Sequence, residues 1–428
     1  MRRLLARALA GALLAGSFAG RAPAQPSPLP PVLPGPAEVP PAATPPAATP
    51  AGLPTTAGVP YDPAKVKWPT EVGGKSITAI VAELKNPDPT IQEAALRAIQ
   101  FFGPEAARRS AMRYVIPMVE NPDPGVRTNA ILLIGSLGFD NAKDFDAAVA
   151  RLSGLLGNTA KGSIMRLHAT RALANLGADA HAAIPTLCDL AADPSWEVRA
   201  AVADALGRLG VAAYEQNTVL DGPTALKVPK LKREASRAAM QKLNFVLIKD
   251  PSSSVRMEAC QALITLGPPH VADPKLYAAA SQPFTDAIAG RLRAEKEPVV
   301  KIWLNLLHMM YDERVFNPTL KLIEAEVHNP DVGVRIQALG ALAILGPKAL
   351  PALDAVAKAL HTGDTPVQVA AIQTMLSMGE FSAQTVLPEL DRFVAETKQA
   401  DIRGYAAEAV KFLRKNKPAP APPVAAKP

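Results

Sequence analysis

The sequence predicts an all-α fold: an α-solenoid, or superhelix, of about nine helix–turn–helix repeats. Three observations carry this. The fragment Asp123-Pro-Gly-Val-Arg127 recurs as Asp193-Pro-Ser-Trp-Glu-Val-Arg199, Asp250-Pro-Ser-Ser-Ser-Val-Arg256 and Asp331-Val-Gly-Val-Arg335, and self-similarity at such a period marks a stacked array. Each copy leads into an alanine- and leucine-rich stretch that closes on Leu-Gly. The chain is 48% hydrophobic but only 5% aromatic, which suits close helix packing better than strands, since strands favour β-branched and aromatic residues.

The chain opens on a secretion signal at residues 1–24. Arg2 and Arg3 form a positive start, Leu4 to Ala19 is mostly apolar with Arg7 interrupting it, and Ala22-Pro23-Ala24 fits the small-x-small cleavage pattern, so the cut is expected after Ala24. The uninterrupted apolar run from Ala8 to Gly20 is short for a membrane span, and no later run is long enough. The expected location is therefore outside the cytoplasm, periplasmic or secreted, with no membrane span after cleavage. Residues 25–63 carry a proline at almost every third position. Such a segment cannot build a core and predicts an extended, disordered linker. The solenoid is placed at 64–414, and 415–428 is a proline- and alanine-rich tail of the same kind as the linker.

Charge and cysteine narrow the classes further. Four of the 46 basic residues, Arg2, Arg3, Arg7 and Arg21, would leave with the signal, so 42 basic residues face 39 acidic ones, a net of +3. That lacks the strongly basic face of a nucleic-acid binder. Cys188 and Cys260 fall in separate repeats, further apart than the roughly 7 Å a disulfide allows between Cα atoms, and read as small buried apolar residues.

Aligning the body on the Val-Arg pair brings Gln92, Arg127, Arg166, Arg199, Arg256, Lys301, Arg335, Gln368 and Arg403 into register. Three residues on stand Ala95, Ala130, Ala169, Val202, Ala259, Leu304, Ala338, Ala371 and Ala406. Seven on stand Ile99, Ile134, Leu173, Leu206, Leu263, Leu342, Met375 and Val410. These spacings share one helical face. Gly103, Gly138, Gly177, Gly210, Gly267, Gly346 and Gly379 close the copies, as left-handed helix stops would. An amphipathic helix precedes each copy. The interval between Arg199 and Arg256 is longer and holds an insertion, Gln216 to Lys230, running into basic residues up to Lys242. It reads either as a solvated loop with a charged outer helix or as part of a binding face.

The Asp-Pro turn, the Val-Arg at the second helix, the alanine and the Leu-Gly end together resemble the HEAT repeat family, including its short bacterial variant in phycobilin lyases. The resemblance covers some 350 residues. It departs at Gln92 and Gln368, at Gly162-Ser163 where Asp-Pro is expected, and at unit six with Glu297-Pro298 and Trp303. The resemblance implies that second helices line the concave side and that Asp and Arg form a ladder between units. Asp123, Arg127, Asp193, Arg199, Asp250, Arg256, Asp331 and Arg335 are then structural locks.

Chemistry-bearing motifs are absent. No histidine precedes a glutamate or pairs with another at i, i+4, and there is no haem-attachment, phosphate-loop or Gly-x-Ser-x-Gly motif. No catalytic residue, metal or cofactor is expected. With the aligned alanine facing the core, positions two, five and nine after the aligned residue should form the exposed stripe. In units two to five these are Asn129, Leu132 and Ser136; His168, Arg171 and Asn175; Ala201, Asp204 and Arg208; Glu258, Gln261 and Thr265. The stripe turns apolar at Trp303, Leu306 and Met310, with Ile344 beyond. Candidate partner-binding residues are therefore His168, Arg171, Asp204, Arg208, Trp303, Leu306, Met310 and Ile344. Two readings stand at Trp303, an interface anchor or a core filler, and His168 is either a contact or polar filler. The expected function is a non-enzymatic protein-binding scaffold using its concave face. A lyase-like or enzyme-accessory role is the alternative, with nucleic-acid binding disfavoured by charge and export.

Overall fold

The computed structural model describes residues 67–157, 162–218, 230–268, 274–379 and 382–415. The expected signal peptide and linker lie outside these residues, as do the tail beyond Lys415 and residues 219–229 of the insertion.

A two-residue antiparallel hairpin, β1 (Glu71–Val72) with β2 (Lys75–Ser76), precedes the helices. In chain order these are α1 (Ile77–Glu83), α2 (Pro89–Ile99), α3 (Pro104–Ser110), α4 (Met112–Val115), α5 (Pro124–Leu137), α6 (Ala142–Leu156), α7 (Gly162–Leu176), α8 (Ile184–Leu190), α9 (Trp196–Thr218) and α10 (Lys230–Phe245). Then follow α11 (Ser253–Leu266), α12 (Pro274–Ala294), α13 (Pro298–Tyr311), α14 (Phe316–Glu326), α15 (Val332–Leu345), α16 (Leu353–Thr362), α17 (Thr365–Met378), α18 (Ala383–Glu396) and α19 (Ala400–Lys415). The aligned residues fall on α2, α5, α7, α9, α11, α13, α15, α17 and α19. Each of these second helices packs against the next along the array.

Local sequence sets the helix ends. Asp123 Oδ1 accepts from Val126 N at 2.9 Å and Asp331 Oδ1 from Val334 N at 3.0 Å, filling orphan donors of the first turn. Pro89, Pro124 and Pro298 occupy that turn, where a missing N–H costs nothing. The glycine stops depart from expectation in form. Gly138 (φ 68°, ψ −156°) and Gly267 (φ 76°, ψ 175°) leave their helices extended rather than left-handed helical, a region open essentially to glycine alone. Gly210 does not stop its helix at all, because α9 continues to Thr218.

The small and large apolar positions of the register are buried, from Ala95 and Ile99 to Ala406 and Val410, and they form one continuous core. Small residues also let neighbouring second helices approach closely. A Cβ on Gly135 of α5 would lie 2.9 Å from Ala172 Cα of α7, and one on Gly207 of α9 would lie 2.8 Å from Ala262 Cα of α11. Cys188 and Cys260 are unpaired and buried.

One stretch departs from the hydropathy expectation. Val332–Thr362 is long and apolar enough to cross a membrane by length and composition. It comprises α15, a turn at Gly346 (φ 56°) and α16, and half of its most apolar window is buried inside the array.

Candidate functional site

The recurring arginine does the same local job in four units. Arg127 Nη1 donates to the carbonyls of Asn121 and Pro122, Arg199 Nη1 to those of Asp193 and Pro194, Arg256 Nη1 to those of Asp250 and Pro251, and Arg335 Nη1 to those of Asn329 and Pro330. Each arginine thus clamps the turn that feeds its own helix, at carbonyls five and six residues back.

The rest of the guanidinium reaches the next unit. Arg166 Nε donates to Asp193 at 2.6 Å. Arg199 makes a two-point contact with Asp250 at 2.7 and 3.0 Å, and Arg256 a two-point contact with Glu295 at 2.7 Å each. Arg335 reaches Asp364 at 3.0 Å, near the surface. The side chain of Glu295 is fully buried. It also accepts from Arg291 at 2.9 Å and from the backbone N–H groups of Lys296 and Glu297 at 3.0 Å. Burial alone would raise its pKa. The hydrogen bonds from Arg256, the Glu297 backbone and Arg291 outweigh that and hold it at about 2.

Among the expected locks, Asp193, Arg199, Asp250 and Arg256 make the ladder, and Arg335 extends it. Asp123 and Asp331 do not, because they stand four residues before their arginine rather than six and serve as helix caps. Arg127 has no ion pair among the described residues, the sequence carrying Ala160 rather than an acid six residues before Arg166, and its Nε is buried without a partner. Sequence reading missed Arg166, Glu295 and Asp364. The signal was present: an acid six residues before the next aligned residue fits Asp193, Asp250 and Glu295 alike, whether or not proline follows. In unit one Gln92 stands in for arginine, binding the Asn86 carbonyl at 2.7 Å and accepting from Asn121 Nδ2 at 2.9 Å.

The expected apolar patch at unit six is not a surface. Trp303 is 6% exposed and Leu306 is 0% exposed. The Trp303 indole N–H donates to Gln337 Oε1 at 3.0 Å. The reason lies in α13 itself. Val300, Ile302, Trp303, Leu304, Leu306, Leu307, Met309 and Tyr311 are all buried, and the polar side of this helix is carried instead by Lys301, Asn305 and His308, three and four residues apart. Met310 is half-buried, and Ile344 remains exposed.

Units three to five do present a polar row. Arg171, Asn175 and Arg208 are exposed, while His168, Asp204, Glu258 and Gln261 are half-buried on the stacked helices α7, α9 and α11. Arg208 Nε donates to Asp204 at 2.8 Å. His168 Nδ1 and both amide atoms of Gln261 are buried without a hydrogen-bond partner, and buried polar atoms left this way are uncommon. Burial, then the Asp204 charge, push the Glu258 carboxyl up to about 7 against the pull of Arg208 and Arg171. Burial, then Arg171, lower the His168 pKa and favour the neutral ring. Glu258 and Gln261 sit at stripe positions two and five of unit five, the same rule that singled out His168, Arg171 and Asp204. Among the described residues, no group of three or more His, Cys, Asp or Glu side chains could hold a metal ion.

The family model of HEAT repeats matches residues 77–174 and 156–221. The two matches together cover residues 77–221. The units that follow continue the same paired-helix stack to Lys415. The HEAT solenoid is a fold commonly used for protein–protein interaction, and scaffolds built on it are typically non-enzymatic. Among solved structures, the chain is similar to an engineered protein at 19% identity, covering 80% of this chain and 89% of that one, with a TM-score of 0.41. It is also similar to importin beta at 14% identity, covering 79% of this chain and 46% of that one, with a TM-score of 0.46. No curated protein matches the chain.

Proposed function

We propose that this HEAT array is a non-enzymatic scaffold that binds a protein partner outside the cytoplasm, on the face formed by its second helices. The signal-like start at residues 1–24 and the proline-rich segment 25–63 support export and a spacer that sets the array off from its surroundings. The observation that carries the binding reading is the polar row on α7, α9 and α11. There Arg171, Asn175 and Arg208 stand exposed on stacked helices, and Arg171 makes no ion pair among the described residues.

The test is affinity capture from the exported fraction with wild type and an Arg171→Glu/Arg208→Glu variant. Recovery of one stoichiometric protein by wild type, lost in the variant at unchanged melting temperature, supports the scaffold. Recovery of a pigment or small molecule would replace it with the lyase-like reading. Retention of DNA that falls steeply with salt would replace it with nucleic-acid binding.

A further inference from the structure

The two ends of the array are built differently. The positions one before and six after the aligned residue are buried in every unit from two to nine, from Val126 and Leu133 to Ile402 and Ala409. Position six meets the preceding unit: Ala172 of α7 lies against Gly135 of α5, and Ala262 of α11 against Gly207 of α9. Unit one carries the same face with no unit before it among the described residues. Ile91, Ala94, Ala98 and Phe101 are three and four residues apart and share that face of α2 and the turn that continues it. Ile91 and Ala98 are only half-buried, Ala94 is exposed, and Phe101 is 55% exposed. At the far end, positions four and eight of unit nine, which would face a following unit, are Ala407 and Lys411, both exposed. An end repeat needs a solvent-compatible outer face. Unit nine has one, whereas unit one ends on an apolar strip.

Its size and position narrow what can cover it. The strip is about 15 Å long and about 10 Å wide, as ten residues of one helix face dictate. A second copy meeting it head to head would bury about 300 Å², against the roughly 1,200 Å² of a stable interface. The chain itself arrives at this spot. The Trp68 ring occupies the place a side chain on Gly103 would take, just past the end of α2, and β1 lies against Gln100–Phe102. Residues 1–66 precede that entry point, with a proline at almost every third position of 25–63. A helix face offers no unpaired backbone edge, so its occupant must do without backbone partners. Proline lacks the N–H, and the polyproline helix makes no internal hydrogen bonds. Such chains dock on aromatic side chains, and Phe101 and Trp68 are both exposed.

We propose that the strip on unit one is the docking site of the chain's own segment Pro28–Pro34, which caps the open end of the array. Every residue of Pro28-Leu29-Pro30-Pro31-Val32-Leu33-Pro34 is proline, leucine or valine. With three residues per turn, Leu29 and Val32 share one side of a polyproline helix and Pro28, Pro31 and Pro34 another. Seven residues at about 3.1 Å each give about 22 Å, enough to cover the strip. Residues 35–66 connect the segment to the array. A flexible chain of that length spans about 30 Å on average, so the segment can fold back onto unit one without being stretched. Phe101 is also the ninth-position stripe residue of unit one. Docking therefore covers the first end of the second-helix surface, and release turns the linker into a spacer. This goes beyond the scaffold reading and does not depend on it.

Tethering makes a weak contact sufficient. A flexible link of this kind holds its segment at an effective concentration of about 1 mM. Against that concentration, an intrinsic Kd of about 0.1 mM leaves the strip open about a tenth of the time. A small apolar strip too weak to hold a second copy is thus strong enough to hold a covalently attached segment.

The test reads access to the strip in the full chain. Ala94→Cys places one accessible thiol there, because Cys188 and Cys260 are buried. The rate of maleimide labelling is compared with and without Leu29→Ser/Val32→Ser/Leu33→Ser, a change outside the folded array. Labelling is expected to be about tenfold slower with the native segment, as an open fraction of about a tenth predicts. A free peptide of the sequence Pro28–Pro34, added to the serine variant, should restore the protection with half its effect near about 0.1 mM, the Kd set by the tether argument. The same peptide with its prolines replaced by alanine should restore none. Equal labelling rates in the two chains, or restoration by the alanine peptide, would overturn the proposal. So would protection that grows with protein concentration, which would make a second copy the occupant.

Discussion

Replacing Glu295 by glutamine tests the ladder at its most buried step. The wild-type carboxylate is fully buried and accepts from Arg256, Arg291 and two backbone N–H groups. The substitution keeps the volume but removes the charge and one acceptor oxygen, leaving Arg256 buried without its counter-charge. Breaking one partner of a buried pair costs about 3–5 kcal/mol. The pH linkage gives a similar figure by a separate route. A carboxyl held at about 2 in the folded state, against an ordinary 4.5, contributes about 3 kcal/mol at neutral pH. Because the folded value is the depressed one, that contribution is complete above about pH 4.5 and is lost as pH falls toward 2. Wild type should therefore lose stability over that acid window more steeply than Glu295→Gln.

The assay must respect the architecture. A repeat array unfolds as a sum of units and interfaces, so one global midpoint would blur the effect. Amide hydrogen exchange followed by peptide resolves α11, α12 and α13 separately from the ends. The expected outcome is a loss of protection of about 3 kcal/mol in those three helices at pH 7, with α2 and α19 unchanged. A change under about 0.5 kcal/mol there, or an acid slope identical to that of wild type, would refute the idea that the ladder joins units five and six energetically.

The remaining predictions probe the other fasteners. Asp193→Ala removes a buried partner of Arg166 and should cost about 3–5 kcal/mol; Asp123→Ala removes only a cap and should cost about 1 kcal/mol, both read by urea unfolding. Gly207→Ala drives a methyl to 2.8 Å from the Ala262 Cα and should destabilise the array by about 1–3 kcal/mol. Gly154→Ala, in α6 with open space around it, should stabilise by up to about 1 kcal/mol, which thermal unfolding can distinguish. Trp303→Ala should cost about 3–5 kcal/mol as a core truncation, and a variant that melts like wild type would place the indole outside the core.

Much of the fold was legible because helical periodicity is a local property. Aligning on Val-Arg placed Ala95, Ala130 and their equivalents on the buried face without knowledge of any neighbour. The ladder was legible in kind but not in membership. Asp123 and Asp193 look alike in sequence, yet two extra residues in the turn at Asp193 carry its carboxylate to the preceding arginine, while Asp123 stays on its own helix. Glu295 escaped because the expected letter was aspartate, although a longer side chain serves the same geometry. At unit six the stripe rule failed for a stated reason. The polar side of α13 runs through Lys301, Asn305 and His308, so the stripe positions Trp303 and Leu306 fall on its covered faces. Gly210 misled in the opposite way: glycine there answers a close approach to Leu266 rather than a helix end.

What separates recognition from fastening in this array is how far each stripe satisfies itself. In units one and two the stripe closes on itself, with Asn129 bonded to the Gly125 carbonyl at 2.8 Å and Arg97 reaching the Asn129 side chain. In units six and seven Trp303 spends its N–H on Gln337. In units eight and nine Gln373 donates to the Tyr405 hydroxyl, keeping one unused oxygen. Units three to five differ. The Arg208–Asp204 pair is internal, but Arg171, His168 and Gln261 keep donors or acceptors unspent on helices already locked in place by Arg166–Asp193, Arg199–Asp250 and Arg256–Glu295. The most buried rungs of the ladder thus start on the same helices, α7, α9 and α11, that carry the row. Rigid support lowers the ordering cost of binding, and the same three ion pairs that hold the units together therefore also fix the helices that present the exposed Arg171, Asn175 and Arg208.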